Sequence, residues 1–306
     1  MEYRTLGGTG LKVSALSFGG SPLGGVYGEV DVEECRRTMH AALDSGINLI
    51  DVSPYYGETR AETMLGAVLQ GVVRDRYLIA TKVGRYGNAD FDFTAERAIR
   101  SVEESMRRIG VDHIDIVQCH DIEYGSIDQI VDETLPALYK LKQQGKIGFV
   151  GVTGLPLEIF TGVLDRVQTD VILSYCRYTL LDDTLASLIP YLKQKNVGII
   201  SASPLAMGLL GGAPPPWHPA PPAMREAVSA AAAHCHARGT NLAQLAVQYA
   251  LANPDITTTL VGISNQYELE RSLDCVGTAC DPEILTAVEA IFAPVHNQTW
   301  QSKQPD

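Results

Sequence analysis

Eight short apolar runs recur along this chain, and a segment with helical periodicity follows each one. The runs lie at 15–19, 47–51, 77–82, 114–119, 147–152, 171–174, 197–201 and 258–261. The helical patterns lie at 32–44, 60–70, 94–109, 127–144, 156–166, 183–195, 241–252 and 266–275. The runs are continuously apolar rather than alternating, as expected of strands covered on both faces. Parallel strands need a crossover between neighbours, so this strict alternation leaves two architectures. Eight units fit an α/β fold of the (β/α)8 TIM-barrel type, and that is the reading adopted. The other is an open doubly wound sheet, which wants a Gly-x-Gly-x-x-Gly turn after its first strand. That motif is missing, although Gly19, Gly20, Gly24 and Gly25 crowd the same place and keep the option open.

Three segments fall outside the repeat: a hairpin at 3–15, an extra helix near 222–238 and a C-terminal helix near 282–292. The longest loop, 203–222, is rich in glycine and proline and follows the seventh strand. Loops of this length in compact domains are usually functional, so a lid over the ligand is expected. A chain of 306 residues suits one barrel domain, 1–306. The net charge of −12 makes nucleic acid and anionic membranes poor partners. Six cysteines without Cys-x-x-Cys spacing point to a reducing, cytoplasmic setting. The N-terminus has no apolar signal, no run is long enough to span a bilayer, and the polar stretch 301–306 has no lipidation box. No long heptad pattern argues for an oligomer, so a monomer is expected.

Four groups able to bind or move protons sit at or just past strand C-termini: Asp51, Tyr56, Lys82 and His120. If the strands are parallel neighbours, all four open on one face. Taken singly, each has an ordinary reading: Asp51 a helix cap, Tyr56 a packed aromatic, Lys82 a solvated charge, His120 a polar core residue. Together they suit reversible proton transfer at a carbonyl or alcohol. A phenol ordinarily titrates near 10, a nearby ammonium is expected to lower that, an aspartate fixes the ammonium, and a histidine orients the substrate oxygen. No serine or cysteine nucleophile and no facing carboxylate pair is apparent, so acyl transfer and glycoside hydrolysis are disfavoured. Hydride chemistry then belongs to a cofactor. No metal site is expected: His234 and His236 stand two apart on a helix and do not face each other. After the first strand, Gly20 and Ser21 offer backbone that a ligand can approach closely.

This constellation resembles the aldo-keto reductases. The stretch Asp51-Val52-Ser53-Pro54-Tyr55-Tyr56-Gly57 is similar to that family's Asp-Thr-Ala-x-x-Tyr-Gly signature, and Glu62 and Gly66 fit its continuation. Lys82 in Ala80-Thr81-Lys82-Val83-Gly84 and His120 in Cys119-His120-Asp121 match its other two catalytic positions. The likeness covers nearly the whole chain. It implies a nicotinamide cofactor bound without a Rossmann domain, Asp51, Tyr56, Lys82 and His120 as catalytic residues, and Tyr56 as the proton donor or acceptor. It also implies that Tyr56, His120 and Asp121 meet the substrate. The cofactor is expected along Gly20, Ser21, Asp51, Ser174, Tyr175, Ser203, Pro204, Leu205, Gly208, Gly262, Ser264, Glu268 and Ser272. Thr153-Gly154 replaces the Ser-Asn pair that usually holds the carboxamide, and Ala202 replaces the stacking tyrosine, so Ser174 or Tyr175 is expected to compensate.

NADP-using relatives commonly carry Lys or Arg where Ser264 stands. Ser264 offers a 2′-phosphate no charge-assisted partner, whereas Glu268 suits a free 2′-hydroxyl. NAD is therefore expected, with Arg271 the one candidate phosphate partner. The resemblance is nearest to sugar-oxidising members. It implies oxidation of the C1 hemiacetal of an aldose to the lactone, L-galactose favoured. The alternatives are a related L-fucose, D-threo-aldose or pyridoxal dehydrogenase and a non-catalytic nicotinamide-binding regulatory subunit.

Overall fold

The computed structural model describes residues 1–212 and 214–300. Ala213 and the polar stretch 301–306 lie outside the described residues. The chain opens with an antiparallel hairpin, β1 (Tyr3–Thr5) and β2 (Lys12–Ser14). Eight parallel strands follow: β3 (Leu16–Gly19), β4 (Leu49–Asp51), β5 (Leu78–Val83), β6 (Ile114–Cys119), β7 (Ile147–Gly154), β8 (Val171–Tyr175), β9 (Gly198–Ala202) and β10 (Thr258–Gly262). They pair in sequence order, and β10 returns to β3, so the sheet is closed. The open-sheet alternative is thereby removed.

Side chains of a strand alternate between its two faces, and here both faces are dry. Leu49, Ala80, Ile116, Val171, Leu173, Ile200, Ala202 and Leu260 meet inside the barrel. Their sequence neighbours Ile50, Ile79, Val117, Ile172, Ile199 and Val261 pack outward in the main core with the helices. That double burial is why the runs are apolar without a break. The hairpin plugs the end where the strands begin. Leu6 and Val13 join the interior cluster, and the Gly8 N–H donates to the Asn196 carbonyl at 2.8 Å, just before β9.

Strand C-termini run slightly further than their apolar runs, to Gly154, Tyr175 and Gly262. The expected helix 127–144 is interrupted by a wide π turn at Ile130–Thr134 before Leu135–Gln143. Pro136 explains it: proline has no N–H for the carbonyl four residues back, and its ring crowds that carbonyl. The helices Pro222–Ala237 and Pro282–Phe292 pack on Leu242–Ala252 through Met224, Val228, Leu245, Val288 and Phe292. The loop after β9 is anchored to this block. Leu209 and Leu210 are buried in it. His218 is buried, with Nε2 bonded to the Ala206 carbonyl at 2.8 Å and Nδ1 accepting from Ala220 N–H at 3.0 Å. Among the described residues no helix is long and apolar enough to cross a membrane.

One buried charge ties the helical layer to the sheet. Glu62, fully buried on helix Arg60–Val68, accepts from Thr81 Oγ1 of β5 at 2.5 Å and from Arg108 Nε at 2.7 Å. Thr81 precedes Lys82, so this bond fixes β5 where the site begins. Glu62→Ala should lower stability by about 3 kcal/mol, because a buried hydroxyl and a guanidinium lose their acceptor. Glu62→Gln should lose less. Urea unfolding midpoints of the three proteins check both expectations.

Candidate active site

Strand parity delivers the polar groups. Leu49 and Ala80 face the interior, so Asp51 and Lys82, two residues on, face the interior one layer higher. Ile116 places Gln118 and then His120 in the same way, and Gln118 is the register partner of Lys82. Lys82 Nζ lies 2.5 Å from Asp51 Oδ1 and donates to the Val52 carbonyl at 2.9 Å. The pair is almost fully buried, at 1% and 4% side-chain exposure. Gln118 Nε2 donates to the other Asp51 oxygen at 3.3 Å. Tyr56 comes from the turn after β4, and Gly57 (φ +62°) lets that turn approach Gly24 more closely than any Cβ allows. Lys82 Nζ sits 4.8 Å from the centre of the Tyr56 ring. The rings of Tyr56 and His120 are 5.7 Å apart, edge to face. The four strand-end residues therefore meet.

The electrostatics differ from the sequence-based expectation at Tyr56. Burial, then the carboxylates of Asp51 and Asp121, push its phenol well above the ordinary value, and only Arg85 among its near cations opposes this. The expected lowering by Lys82 does not appear. The ammonium is already matched by Asp51 at contact distance, so the phenol meets a nearly neutral pair. Asp51 is raised by burial, against the pull of Lys82 and Gln118. His120 is pushed down to about 3 by burial, so its ring is neutral at physiological pH. Ser53 Oγ lies 3.0 Å from His120 Nδ1 and already accepts from Tyr55 N–H. When the Ser53 hydroxyl donates to Nδ1, the ring proton sits on Nε2, the nitrogen nearer Asp121.

These groups open into a cavity of about 790 Å³, which Asp121, Tyr175 and Ala202 also line. A second cavity of about 270 Å³ runs past Gly20, Ser21, Ser203, Pro204, Leu205, Gly208 and Gly262 to Ser264 and Glu268. Asp51, Tyr56, Ser21, Tyr27, Ala202, Ser203 and Met207 border both, so the two are continuous. At Gly20 a Cβ would strike Val52 Cγ1 at 2.5 Å and Asp51 O at 2.8 Å, so the floor there is bare backbone. Ser203 and Met207 hold positive φ (59° and 55°) along its wall. Strained backbone of this kind persists where a site requires it. At the outer end Glu268 Oε2 accepts from the N–H and hydroxyl of Ser264 at 2.7 and 2.9 Å. An extended ligand fits this shape, with one end at Asp51 and Tyr56 and the other at Glu268.

Three expected cofactor residues do not line the groove: Tyr175, which faces the large cavity instead, Ser174 and Ser272. Ser174 lies between Leu173 and Tyr175, which line the large cavity, so its side chain faces the other side of the sheet, where Oγ is buried without a partner. Ser272 turns back into its own helix and donates to the Glu268 carbonyl at 2.8 Å. Sequence reasoning also missed several lining residues. Arg85, which lines the large cavity, had a signal, since it lies three positions past Lys82, as did Ser53, which meets His120 from behind and lies two past Asp51. Trp217 lines the large cavity from the loop expected to cover the ligand, whereas Tyr27 and Trp300 come from another loop and the C-terminal segment and had no signal.

Comparisons with known proteins point to one family. The model of the Aldo/keto reductase family matches residues 15–293. The chain is 54% identical to L-galactose dehydrogenase of Arabidopsis thaliana over 312 residues, covering 99% of this chain and 98% of that protein. It is 32% identical to D-arabinose 1-dehydrogenase of Saccharomyces cerevisiae over 321 residues, covering 96% and 95%. Its fold superposes on the holo form of an aldo-keto reductase from Bacillus halodurans with a TM-score of 0.81, at 27% identity and full coverage of both chains.

The neutral imidazole can be checked directly. NMR of the ring nitrogens should show His120 unprotonated from pH 8 to pH 5, while an ordinary histidine titrates near 6.5. Between about 6.5 and 3 the unfolded chain binds more protons at this residue than the folded one, so stability falls as pH falls through that window. His120→Gln should flatten that part of the stability profile.

Proposed function

This chain belongs to the aldo/keto reductase family, and from that premise we propose that it is an NAD-dependent aldose 1-dehydrogenase with L-galactose as its sugar. The observation that carries the reading is the meeting of Tyr56, Lys82, Asp51 and His120 at the junction of two continuous cavities. The larger cavity carries hydrogen-bonding side chains on its wall, as a sugar requires. The other is a glycine-floored groove, as a dinucleotide requires. The names of the Arabidopsis and yeast relatives point to the same substrate class.

When bound, a nicotinamide dinucleotide supplies the hydride acceptor and, in its oxidised form, a positive charge. The chain's own residues handle the proton and the oxygen. His120 Nε2–H donates to the C1 oxygen of the sugar and holds it beside Tyr56. Tyr56 takes the hydroxyl proton as C1 becomes a carbonyl, and gives it back in the reverse direction. Lys82, fixed by Asp51 and the Val52 carbonyl, sits over the Tyr56 ring and holds it at the mouth of the cavity. Because burial holds the phenol protonated, the site as it stands is set for reduction, and oxidation requires Tyr56 to lose its proton.

The preference for NAD rests on the far end of the groove. Glu268 presents a carboxylate where a 2′-phosphate would be repelled and a 2′-hydroxyl accepted. Arg271, the candidate phosphate partner, is paired with Asp274 at 2.7 Å instead. Steady-state kinetics with L-galactose tests both parts. NAD should give the higher kcat/KM, and a higher value with NADP overturns the cofactor assignment. Tyr56→Phe should cut kcat by about 10²- to 10⁴-fold, and wild-type turnover in that variant would refute its role. Oxidation should accelerate with rising pH, since deprotonation of a raised phenol limits it.

A further inference from the structure

Arg85 and Asp121 form a buried ion pair in the wall of the large cavity, at 13% and 5% side-chain exposure. Nothing in the four-residue chemistry uses it. Removing two charges from water costs about as much as their attraction returns, so such a pair on a cavity wall calls for a reason other than stability. It is also held unusually firmly. Asp121 follows β6 in the left-handed region, φ +47°. Thr153 Oγ1 accepts from its N–H at 2.9 Å and donates to its Oδ1 at 3.2 Å. The Arg85 guanidinium stacks on Tyr55 at 3.8 Å, with Tyr124 at 5.1 Å and Phe91 at 5.5 Å. Its Nε is buried without a hydrogen-bond partner among the described residues.

This rigidity fixes one distance. Asp121 Oδ2 stands 3.7 Å from His120 Nε2. Two hydrogen-bonding groups at that separation match two oxygens on adjacent carbons. We infer that the Arg85–Asp121 pair is a specificity site that reads the hydroxyl on the carbon next to the reacting one. Nε2–H takes the reacting oxygen, and the Asp121 carboxylate accepts from the neighbouring hydroxyl. An ionised carboxylate has about four acceptor positions, so capacity remains beyond Thr153 and Arg85. Arg85 keeps the carboxylate charged and oriented, and donates to the oxygen of that same hydroxyl. The ligand class is therefore a 2-hydroxy aldose rather than a simple aldehyde or alcohol. This rests on the aldose reading above and adds the group that selects among carbonyl compounds.

The chain's two tryptophans, Trp217 and Trp300, both line this cavity, so quenching of tryptophan fluorescence reports sugar binding without turnover. L-galactose and its 2-deoxy counterpart are titrated into wild type, Asp121→Asn and Arg85→Lys. Wild type should bind the hydroxylated sugar about 10- to 100-fold more tightly, the worth of a charge-assisted bond. In both variants that ratio should fall to within about threefold of one. A merely structural role would weaken both sugars alike and keep the ratio. Should Asp121→Asn fail to fold, Arg85→Lys, which keeps the charge but loses the planar stacked fork, carries the same expectation. A ratio retained in the variants overturns the inference, as does a wild type that binds both sugars alike or neither. A wild type that shows the ratio but reduces no NAD with L-galactose refutes the proposed function and leaves the hydroxyl site standing.

Discussion

A fully buried ammonium facing a fully buried carboxylate, Lys82 on Asp51, is the interaction that orders the mouth of this barrel. Each ion alone would cost several kcal/mol to desolvate. The pair is tolerable because two further hydrogen bonds support it: Nζ donates to the Val52 carbonyl, and the Gln118 amide N–H donates to the second carboxylate oxygen. Neither ion can be moved without stranding the other. Tyr56 packs its ring against the ammonium, and His120 packs edge-on against Tyr56. One electrostatic constraint thus propagates into the placement of an aromatic ring and an imidazole that carry no charge themselves.

The apolar barrel beneath supplies the other half of that constraint. Its interior is filled below the site by aliphatic side chains and closed by Leu6 and Val13 of the hairpin, so the polar layer cannot sink. Above it the chain departs from regular geometry. Asp121, Cys176 and Ser203, each in the first residues after a barrel strand, have positive φ without being glycine, as do Ala206 and Met207 further along the last of these loops. Rigid strands below and strained turns above are the division expected when a scaffold positions loops that do the binding. The loop after β9 fits this pattern. It borders both cavities through Ser203 and Met207, yet Leu209 and Leu210 are buried in the helical block and Arg225 of that block donates to the His218 and Ala220 carbonyls.

Burial also separates what a residue is from what it does. Tyr56 reads from sequence as a phenol beside a cation, with the ordinary consequence of a lowered pKa. In the structure the cation has its own counter-ion, and the low dielectric together with Asp51 and Asp121 favours the neutral phenol. Residue types and proximity were both anticipated; the balance was not, because it depends on the third and fourth charges around the ring. The same holds for Ser174. Its place on β8 is as expected, but one step of parity turns it away from the cavity.

Local rules therefore reach a definite distance. Continuous apolar runs alternating with helical periods determine a parallel sheet covered on both faces, since crossover and double burial are properties of each segment and its successor; its closure through β10 and β3 is tertiary. Period-two alternation then determines that Asp51, Lys82 and His120 share the inner face, because Leu49, Ala80 and Ile116 two or four residues earlier must be inside. Tertiary structure decided the rest: the left-handed turn at Asp121 and its ties to Arg85 and Thr153, which set its carboxylate 3.7 Å from His120 Nε2, the stacking of Arg85 on Tyr55, the arrival of Tyr27 and Trp217 from separate loops, and the π turn's accommodation of Pro136 within a packed helix. These depend on how the closed sheet brings distant segments into one low-dielectric volume, which no single strand or helix encodes.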